Sequence, residues 1–314
     1  MSVVDIKIFA EQMAGLQYSP RFTSSLGRLL DLASLLLTYP WLLTASLLAS
    51  SLLALVPDPR PAWRRLADTA VTAPLLLGLG LVLTPPALLG HLLWVIICTL
   101  CPSQQYSSVD IPKPKLKPSN SDANKYSFGT MNILLGQEVI GKFNNCSLVY
   151  SRIPRIAAQI RAQEAEYLQN LAGTECPGKT ETVLSTFPRM DFICFQEVFD
   201  RVHALALVSL LRSHYSHFIY DIGDNSLATN LFLLNSGLMV ASNFPITKVH
   251  FHPFSWKTSA WQKCVCYGVV VCKVDLGSGK VGLLSNLHTM AYEGPDPLIN
   301  AALTEVKNVV TKFR

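Results

Sequence analysis

Charged side chains are scarce in this chain. Asp, Glu, Lys and Arg together make up 15% of its 314 residues, against about a quarter in an ordinary globular protein. The scarcity is concentrated in two stretches, because Leu29 to Val56 contains one charge, Asp31, and Thr69 to Cys101 contains none. Each stretch exceeds the roughly 20 apolar residues that cross a bilayer as a helix. We therefore expect two hydrophobic membrane segments, 29–56 and 69–101.

A cleavable signal peptide does not fit this pattern. Residues 1–28 are mixed in character and include Asp5, Lys7 and Glu11, and no cleavage-site pattern follows the first apolar run. A soluble helical core is disfavoured as well, because the two segments show no polar face. Prolines interrupt both segments, so spanning and re-entrant arrangements stay open. Basic flanks place the domain after Cys101 in the cytoplasm. The organelle stays open among endoplasmic reticulum, mitochondrial, Golgi and plasma membranes.

A disulfide framework and a basic stripe are also missing. Half of the eight cysteines fall in or at the edge of two predicted strands, namely Cys194 in one and Cys264, Cys266 and Cys272 in the other. Free cysteine packs there as a small apolar residue, which favours a reducing compartment. Cys98 and Cys101 end the second apolar segment and suit palmitoylation or simple packing equally well. The net charge of +5 is spread along the chain and forms no basic stripe, so we do not expect nucleic acid as a partner. The positive charge could still help to hold the domain at a membrane that contains anionic lipids.

A segment rich in Pro and Lys divides the chain. Ile111 to Pro118 alternates these residues, and a polar run continues to Lys125, as in an extended linker. The predicted parts are an N-terminal segment (1–28), two membrane segments within 29–101, a linker (102–125) and an α/β domain (126–314).

Strands outnumber helices in the α/β domain, and several strands follow each other directly, which favours a mixed sheet. Predicted strands cover 126–134, 192–197, 217–221, 237–241, 247–251, 265–274 and 280–288, and predicted helices cover 154–171, 202–213 and 297–314.

Three predicted strands end in polar side chains. The apolar run Phe192 to Val198 is typical of a fully buried strand and delivers Glu197 to its carboxyl edge. Asn132 and His288 end two further strands. A carboxylate suits Mg²⁺ bound together with substrate phosphate, and an imidazole can donate to charge that develops on a phosphoryl group. Each residue alone also has a structural explanation, such as a turn cap for Asn132. Together they predict metal-assisted phosphoester hydrolysis.

The sequence around Glu197 resembles a known family. Phe-Ile-Cys-Phe-Gln-Glu-Val-Phe-Asp at 192–200 is similar to the Gln-Glu-Val strand of the endonuclease/exonuclease/phosphatase (deoxyribonuclease-I-like) superfamily, and more narrowly of its neutral sphingomyelinases. Residues 234–242 and the Phe-Pro-Ile at 244–246 resemble the next block of that branch. The two proline-broken segments ahead of the domain are similar to those of the membrane-attached vertebrate members.

The resemblance implies a fold and a chemistry. The fold is α/β (α+β): a four-layer sandwich of two mixed β-sheets flanked by helices and preceded by the two membrane segments. The chemistry is phospholipase-C-type hydrolysis of membrane sphingomyelin to ceramide and phosphocholine, with Mg²⁺ or Mn²⁺ as cofactor. By the match of motifs, Glu197 is the metal ligand, Asn132 lies beside the metal and the attacking water, and His288 contacts the phosphate.

The chain also departs from the family pattern. After His288 it lacks the family's Asp-x-Asn segment and its Asp-His pair, so we expect a domain incomplete at the C-terminus and a chain inactive by itself. Tyr267 stands where relatives carry a lysine, and Lys263 is the candidate substitute. Two alternatives stay open: an inactive membrane-bound regulatory or binding protein, and another phosphodiesterase or phosphoinositide phosphatase of the superfamily.

Overall fold

The computed structural model describes residues 17–52, 62–101, 103–112, 125–136, 141, 149–171, 190–223, 234–255, 265–289 and 296–314. The helices are α1 (Ser25–Leu52), α2 (Ala62–Leu100), α3 (Val149–Leu171), α4 (Arg201–Leu211) and α5 (Asp296–Phe313). The strands are β1 (Gln17–Ser19), β2 (Ser107–Asp110), β3 (Phe128–Leu135), β4 (Phe192–Val198), β5 (His217–Tyr220), β6 (Met239–Ser242), β7 (Ile246–Pro253), β8 (Gly268–Gly277) and β9 (Lys280–Leu287).

Two sheets form the domain. The first has the order β1-β2-β5-β6-β4-β3 and is mixed, because β3 and β4 are parallel while the other neighbours are antiparallel. The second has the order β7-β8-β9 and is antiparallel throughout its described strands. Ser278 and Gly279 connect β8 to β9 with φ values of 52° and 76°. Two such residues make the tight turn that joins antiparallel neighbours.

The layers are arranged as the family resemblance implies. Helices α3 and α4 pack on the outer face of the first sheet, α5 packs on the outer face of the second, and the two sheets face each other. Strand β4 shows why its apolar run is continuous: Ile193 and Phe195 face the helices, while Phe192 and Cys194 face the other sheet. The predicted four-layer sandwich and its buried strand are therefore confirmed.

Two short strands were not predicted. Strand β1 lies in the segment predicted to precede the membrane, and β2 lies within the predicted linker, where Val109 pairs with Phe218 of β5. The sequence Ser-Ser-Val-Asp of β2 is too short and too polar to show an alternating pattern. Residues 107–110 thus belong to the first sheet, whereas residues 113–124 of the predicted linker lie outside the described residues.

The helices α1 and α2 form an antiparallel hairpin with its polar groups inside. Ser34 Oγ donates to the carbonyl of Gly90 at 2.8 Å, and Trp41 Nε1 donates to Thr84 Oγ1 at 3.0 Å. All buried positions of α1 are small or polar, namely Gly27, Asp31, Ser34, Thr38, Thr44, Ser46 and Ser50. Leucines of both helices are exposed instead. The expectation that these segments have no polar face was wrong, because the hydroxyl groups gather on the side that faces the partner helix.

This inside-out arrangement is the reverse of a soluble core and matches helix packing in lipid, where small and polar residues lie between helices. Helix α1 and residues Thr69–Leu100 of α2 are long and apolar enough, by length and composition, to cross a membrane. Both helices continue through their prolines.

Candidate active site

The site lies where three strands end. Because β3 and β4 are parallel neighbours, their carboxyl ends meet at the same edge of the first sheet, with Asn132 opposite Gln196 in the register. Glu197 comes one residue later. His288 directly follows β9 of the second sheet. The fold therefore brings together all three residues that the sequence singled out.

One carboxylate oxygen is the meeting point. Asn132 Nδ2 donates to Glu197 Oε1 at 2.5 Å, and His288 Nε2 lies 3.5 Å from the same oxygen. Asn132 Oδ1 accepts from the Leu134 amide at 3.3 Å, which orients the Asn132 side chain. An amide, a carboxylate and an imidazole are thus grouped around a single atom.

The backbone is left-handed near the carboxyl ends of β3 and β4. Glu197 has a φ of 62° and Leu134 a φ of 44°, and the register of β3 and β4 shifts between Asn132 and Leu135. Non-glycine residues in this region cost on the order of 1–3 kcal/mol and cluster at functional sites. The turn at Glu197 breaks the strict alternation that would place this side chain on the same face as Phe195.

A glycine supports the turn at Glu197. Gly237 has a φ of +69°, and a Cβ atom there would lie 2.7 Å from Phe199 Cε1 and 3.1 Å from Glu197 Cα. The Gly237 carbonyl accepts from the Val198 amide at 2.8 Å. The segment that contains Gly237 therefore lies directly against the carboxylate residue, and no other amino acid fits this approach without a shift.

A buried polar network lies behind the site. Gln196 Nε2 donates to Asn286 Oδ1 at 2.8 Å and to Thr130 Oγ1 at 3.1 Å. Asn286 Nδ2 donates to the carbonyls of Phe195 and Met239, both at 3.0 Å. This network was not predicted, although Gln196 and Asn286 are polar residues inside otherwise apolar strands and such a pattern indicates a buried hydrogen-bond network.

The imidazole of His288 is mostly buried. Burial lowers the pKa of His288 below its ordinary value, and the nearby Glu197 carboxylate offsets only part of that effect. The ring is therefore largely neutral at pH 7. Its Nδ1 atom is buried and has no hydrogen-bond partner among the residues that the structure describes. The Tyr267 ring lies beside it, with centroids 5.7 Å apart. Lys263 falls outside the described residues.

The oxygen atoms of the site fit a hard divalent cation. Mg²⁺ typically takes one or two carboxylates and completes its shell with water and substrate phosphate. Glu197 supplies the carboxylate and Asn132 an amide group beside it. Within the described ranges, no group of three or more His, Cys, Asp or Glu side chains is placed to hold a metal ion. One carboxylate with an amide beside it suits a cation site to which a substrate phosphate also contributes oxygen.

The chain is similar to several known proteins. The family model for the Endonuclease/Exonuclease/phosphatase family matches residues 129–307. Sphingomyelin phosphodiesterase 5 of Danio rerio is 32% identical over 137 residues, which cover 40% of this chain and 25% of the relative. Sphingomyelin phosphodiesterase 3 of Homo sapiens is 34% identical over 140 residues, which cover 42% of this chain and 21% of the relative. The crystal structure of SmcL covers 61% of this chain and 59% of its own, with 19% identity and a TM-score of 0.43.

The matched stretch spans about a quarter of the length of these two phosphodiesterases. The resemblance to the neutral sphingomyelinase branch, predicted from 192–200 and 234–246, is confirmed. The family match covers more than half of the chain and contains all three site residues. The chain therefore belongs to the endonuclease/exonuclease/phosphatase family.

Proposed function

We propose that this protein is a metal-dependent phosphodiester hydrolase that cleaves membrane sphingomyelin to ceramide and phosphocholine. The observation that carries the proposal is the meeting of Asn132 and His288 at one oxygen of Glu197. A carboxylate for a hard cation, an amide and an imidazole donor are the groups that phosphoester hydrolysis requires. The similarity to sphingomyelin phosphodiesterases supports sphingomyelin as the substrate.

Glu197 would hold Mg²⁺, or Mn²⁺ in its place, with Asn132 beside it. The family generally uses a divalent metal. When bound, such an ion polarises a phosphoryl oxygen and lowers the pKa of a bound water. The hydrogen bond from Asn132 orients the Glu197 carboxylate, and the Asn132 side chain would also orient the attacking water.

His288 would donate a hydrogen bond to the phosphate. The lowered pKa keeps the ring neutral at pH 7, so one of its nitrogens carries a proton that it can donate. A donor already placed in a partly buried site strengthens its bond as negative charge builds on the phosphoryl oxygens in the transition state. The imidazole thus stabilises that charge without a change in its own protonation.

The helical hairpin would insert into the membrane that contains the substrate. Its exposed leucines suit lipid, and its 28-residue α1 is about 42 Å long, more than the roughly 30 Å of a hydrocarbon core. The start of α1 and the end of α2 both lie at the α/β domain, so two crossings would leave the domain on one side, which we assign to the cytoplasm. Tethering raises the local concentration of the site at the lipid surface.

Hydrolysis of choline-labelled sphingomyelin in mixed micelles with Mg²⁺ tests the proposal. Phosphocholine is the expected product, and Glu197→Gln should lower its release by at least about a hundredfold because the metal carboxylate is lost. Glu305→Gln is the matched control, since Glu305 lies on helix α5, on the outer face of the second sheet, where it accepts from Ser255 Oγ. Undiminished activity of Glu197→Gln would contradict the metal assignment. Release of inorganic phosphate from a phosphoinositide, with no phosphocholine released from sphingomyelin, would indicate a phosphatase of the same family.

A second candidate is a membrane-bound binding protein without turnover. It is favoured by one observation: the exposed leucines of α1 and α2 suit binding at a membrane, which needs no catalytic step. Such a protein would bind Mg²⁺ and sphingomyelin vesicles at the same site and release no phosphocholine. Calorimetry with Mg²⁺, run beside the hydrolysis assay, separates the two functions.

A further inference from the structure

Arg21 is a buried charge outside the candidate site. Only 3% of this residue is exposed, although a guanidinium is costly to bury unless it is fully partnered. Its Nε donates to the Gln104 carbonyl at 3.1 Å, its Nη2 donates to the Gly223 carbonyl, and its Nη1 lies 3.9 Å from Asp221 Oδ2. Arg21 therefore joins the chain just before α1 and just after α2 to the loop that follows β5.

The loop after β5 contacts a second segment. Asn235 Nδ2 donates to Asp221 Oδ1 at 3.0 Å, and the Ser236 amide donates to the Ile222 carbonyl at 2.8 Å. Asp221 itself has a φ of 51°, so its left-handed backbone depends on these surroundings. Residues 235–237 are thus held on one side by the same loop that Arg21 binds.

The other side of residues 235–237 contacts the backbone of Glu197 and Val198 at the candidate site. Asn235 Oδ1 accepts from the Gly237 amide at 2.9 Å, and the Gly237 carbonyl accepts from the Val198 amide at 2.8 Å. Gly237 also approaches the Cα of Glu197 so closely that a Cβ would lie 3.1 Å from it. Direct contacts therefore run from Arg21 to Glu197 without a gap.

We infer that Arg21 is a positioning residue for Glu197. When the hairpin is seated, Arg21 fixes the loop after β5, the loop fixes residues 235–237, and these residues hold Glu197 in its left-handed conformation. That conformation is intrinsically unfavourable and persists only while its surroundings enforce it. The geometry of the site thereby depends on the docking of the membrane hairpin.

Hydrogen exchange at the Val198 amide tests this inference in the full chain in detergent micelles, with no metal required. Arg21→Lys keeps the charge but loses the planar guanidinium that bonds three carbonyls and pairs with a carboxylate. It should raise the exchange rate of Val198 by about tenfold, a typical coupling between sites. Arg28→Lys is the matched control, because Arg28 is exposed and its side chain donates to Ser25 Oγ of its own helix. Unchanged exchange of strand β8 shows that the variants are folded.

Wild-type exchange at Val198 in folded Arg21→Lys would overturn the inference. If Arg21→Lys does not fold, Asn235→Ala gives the same test, because it cuts the path in the middle and leaves Arg21 in place. Faster exchange at Val198 with a protected β8 supports the path, and unchanged exchange overturns it.

A metal titration adds a second readout, which rests on the proposed role of Glu197. By calorimetry with Mn²⁺, Arg21→Lys should weaken binding about fivefold relative to wild type and to Arg28→Lys. A wild-type chain that binds no Mn²⁺ would contradict the proposed function, while the exchange result would still decide the positioning role of Arg21.

Discussion

The side-chain amide of Gln196 donates a hydrogen bond to Asn286 Oδ1 at 2.8 Å, and this bond joins the two sheets directly behind the candidate site. Gln196 immediately precedes Glu197, and Asn286 lies two residues before His288. The bonds from Asn286 Nδ2 to the Phe195 and Met239 carbonyls tie β9 to β4 and β6. The distance between the carboxylate and the imidazole is therefore set by a polar contact between sheets.

Removing this contact should destabilise the domain. Asn286→Ala leaves one buried donor and up to two carbonyls with fewer partners, so we expect the free energy of unfolding to fall by about 2–4 kcal/mol. Thermal unfolding in detergent micelles measures it. Asn243→Ala is the control, since the Asn243 side-chain amide donates one long hydrogen bond of 3.4 Å to the Met190 carbonyl. The loss of that bond should cost less than about 1 kcal/mol. Equal costs would show that the contact between the sheets has no special role.

Gly237 should not accept a methyl group. Gly237→Ala combines a positive φ with a contact of 2.7 Å to Phe199, so we expect a loss of about 2–4 kcal/mol in unfolding free energy and weaker Mn²⁺ binding. Gly277→Ala separates the two causes. Gly277 has a φ of +82° but open space around it, so only the backbone cost of about 1–2 kcal/mol applies. Similar losses in both variants would mean that the close approach to Glu197 is relaxed easily.

Much of the fold follows from patterns that are local in the sequence. The apolar run of β4 is buried on both faces, and a parallel neighbour brings Asn132 to the same sheet edge as Glu197. These features depend on hydrophobic burial and on strand direction, which the sequence expresses directly. The chemical roles of Asn132, Glu197 and His288 are still predictions.

Other features depend on contacts between distant segments. The left-handed turn at Glu197 needs Gly237 against it, and neither residue shows that need by itself. Strand β2 is defined by its pairing with β5 rather than by its own four residues. The hydroxyl face of α1 is visible only when α2 supplies partners such as Gly90. Such features follow from tertiary structure and were missed for that reason.

The ion pair between Asp31 and Arg201 should couple the hairpin to α4. Arg201 Nη1 donates to Asp31 Oδ2 at 2.6 Å, and both side chains are largely buried. Either single change, Asp31→Leu or Arg201→Leu, leaves the other charge without its partner and should cost about 2–4 kcal/mol. The double variant should be closer to the wild type than either single variant, because two apolar side chains replace the pair. Thermal unfolding of all four proteins measures the coupling, and additive losses would show that none exists.

Buried thiols give the last prediction. The five cysteines that the structure describes are all free, and burial raises the pKa of Cys194 to about 12. Burial also raises the pKa of Cys272, which lies between the sheets with Cys194. A raised pKa lowers the thiolate fraction at every pH below it, and only the thiolate reacts with iodoacetamide. For Cys194 at pH 8, the fraction falls roughly a thousandfold relative to an ordinary thiol.

At pH 8, iodoacetamide should therefore label Cys194 and Cys272 of the native chain at least about a hundredfold more slowly than those of the chain unfolded in guanidinium. Isotope-coded mass spectrometry measures the two rates. Raising the pH to 9.5 should leave both sites slow, because 9.5 is still far below the pKa of Cys194. Cys101, which is only half-buried, is the internal reference for reagent access. If Cys194 labels as fast in the native chain as in the unfolded chain, the two sheets do not pack over this thiol. The contact between the sheets could then not hold Glu197 and His288 together at the candidate site.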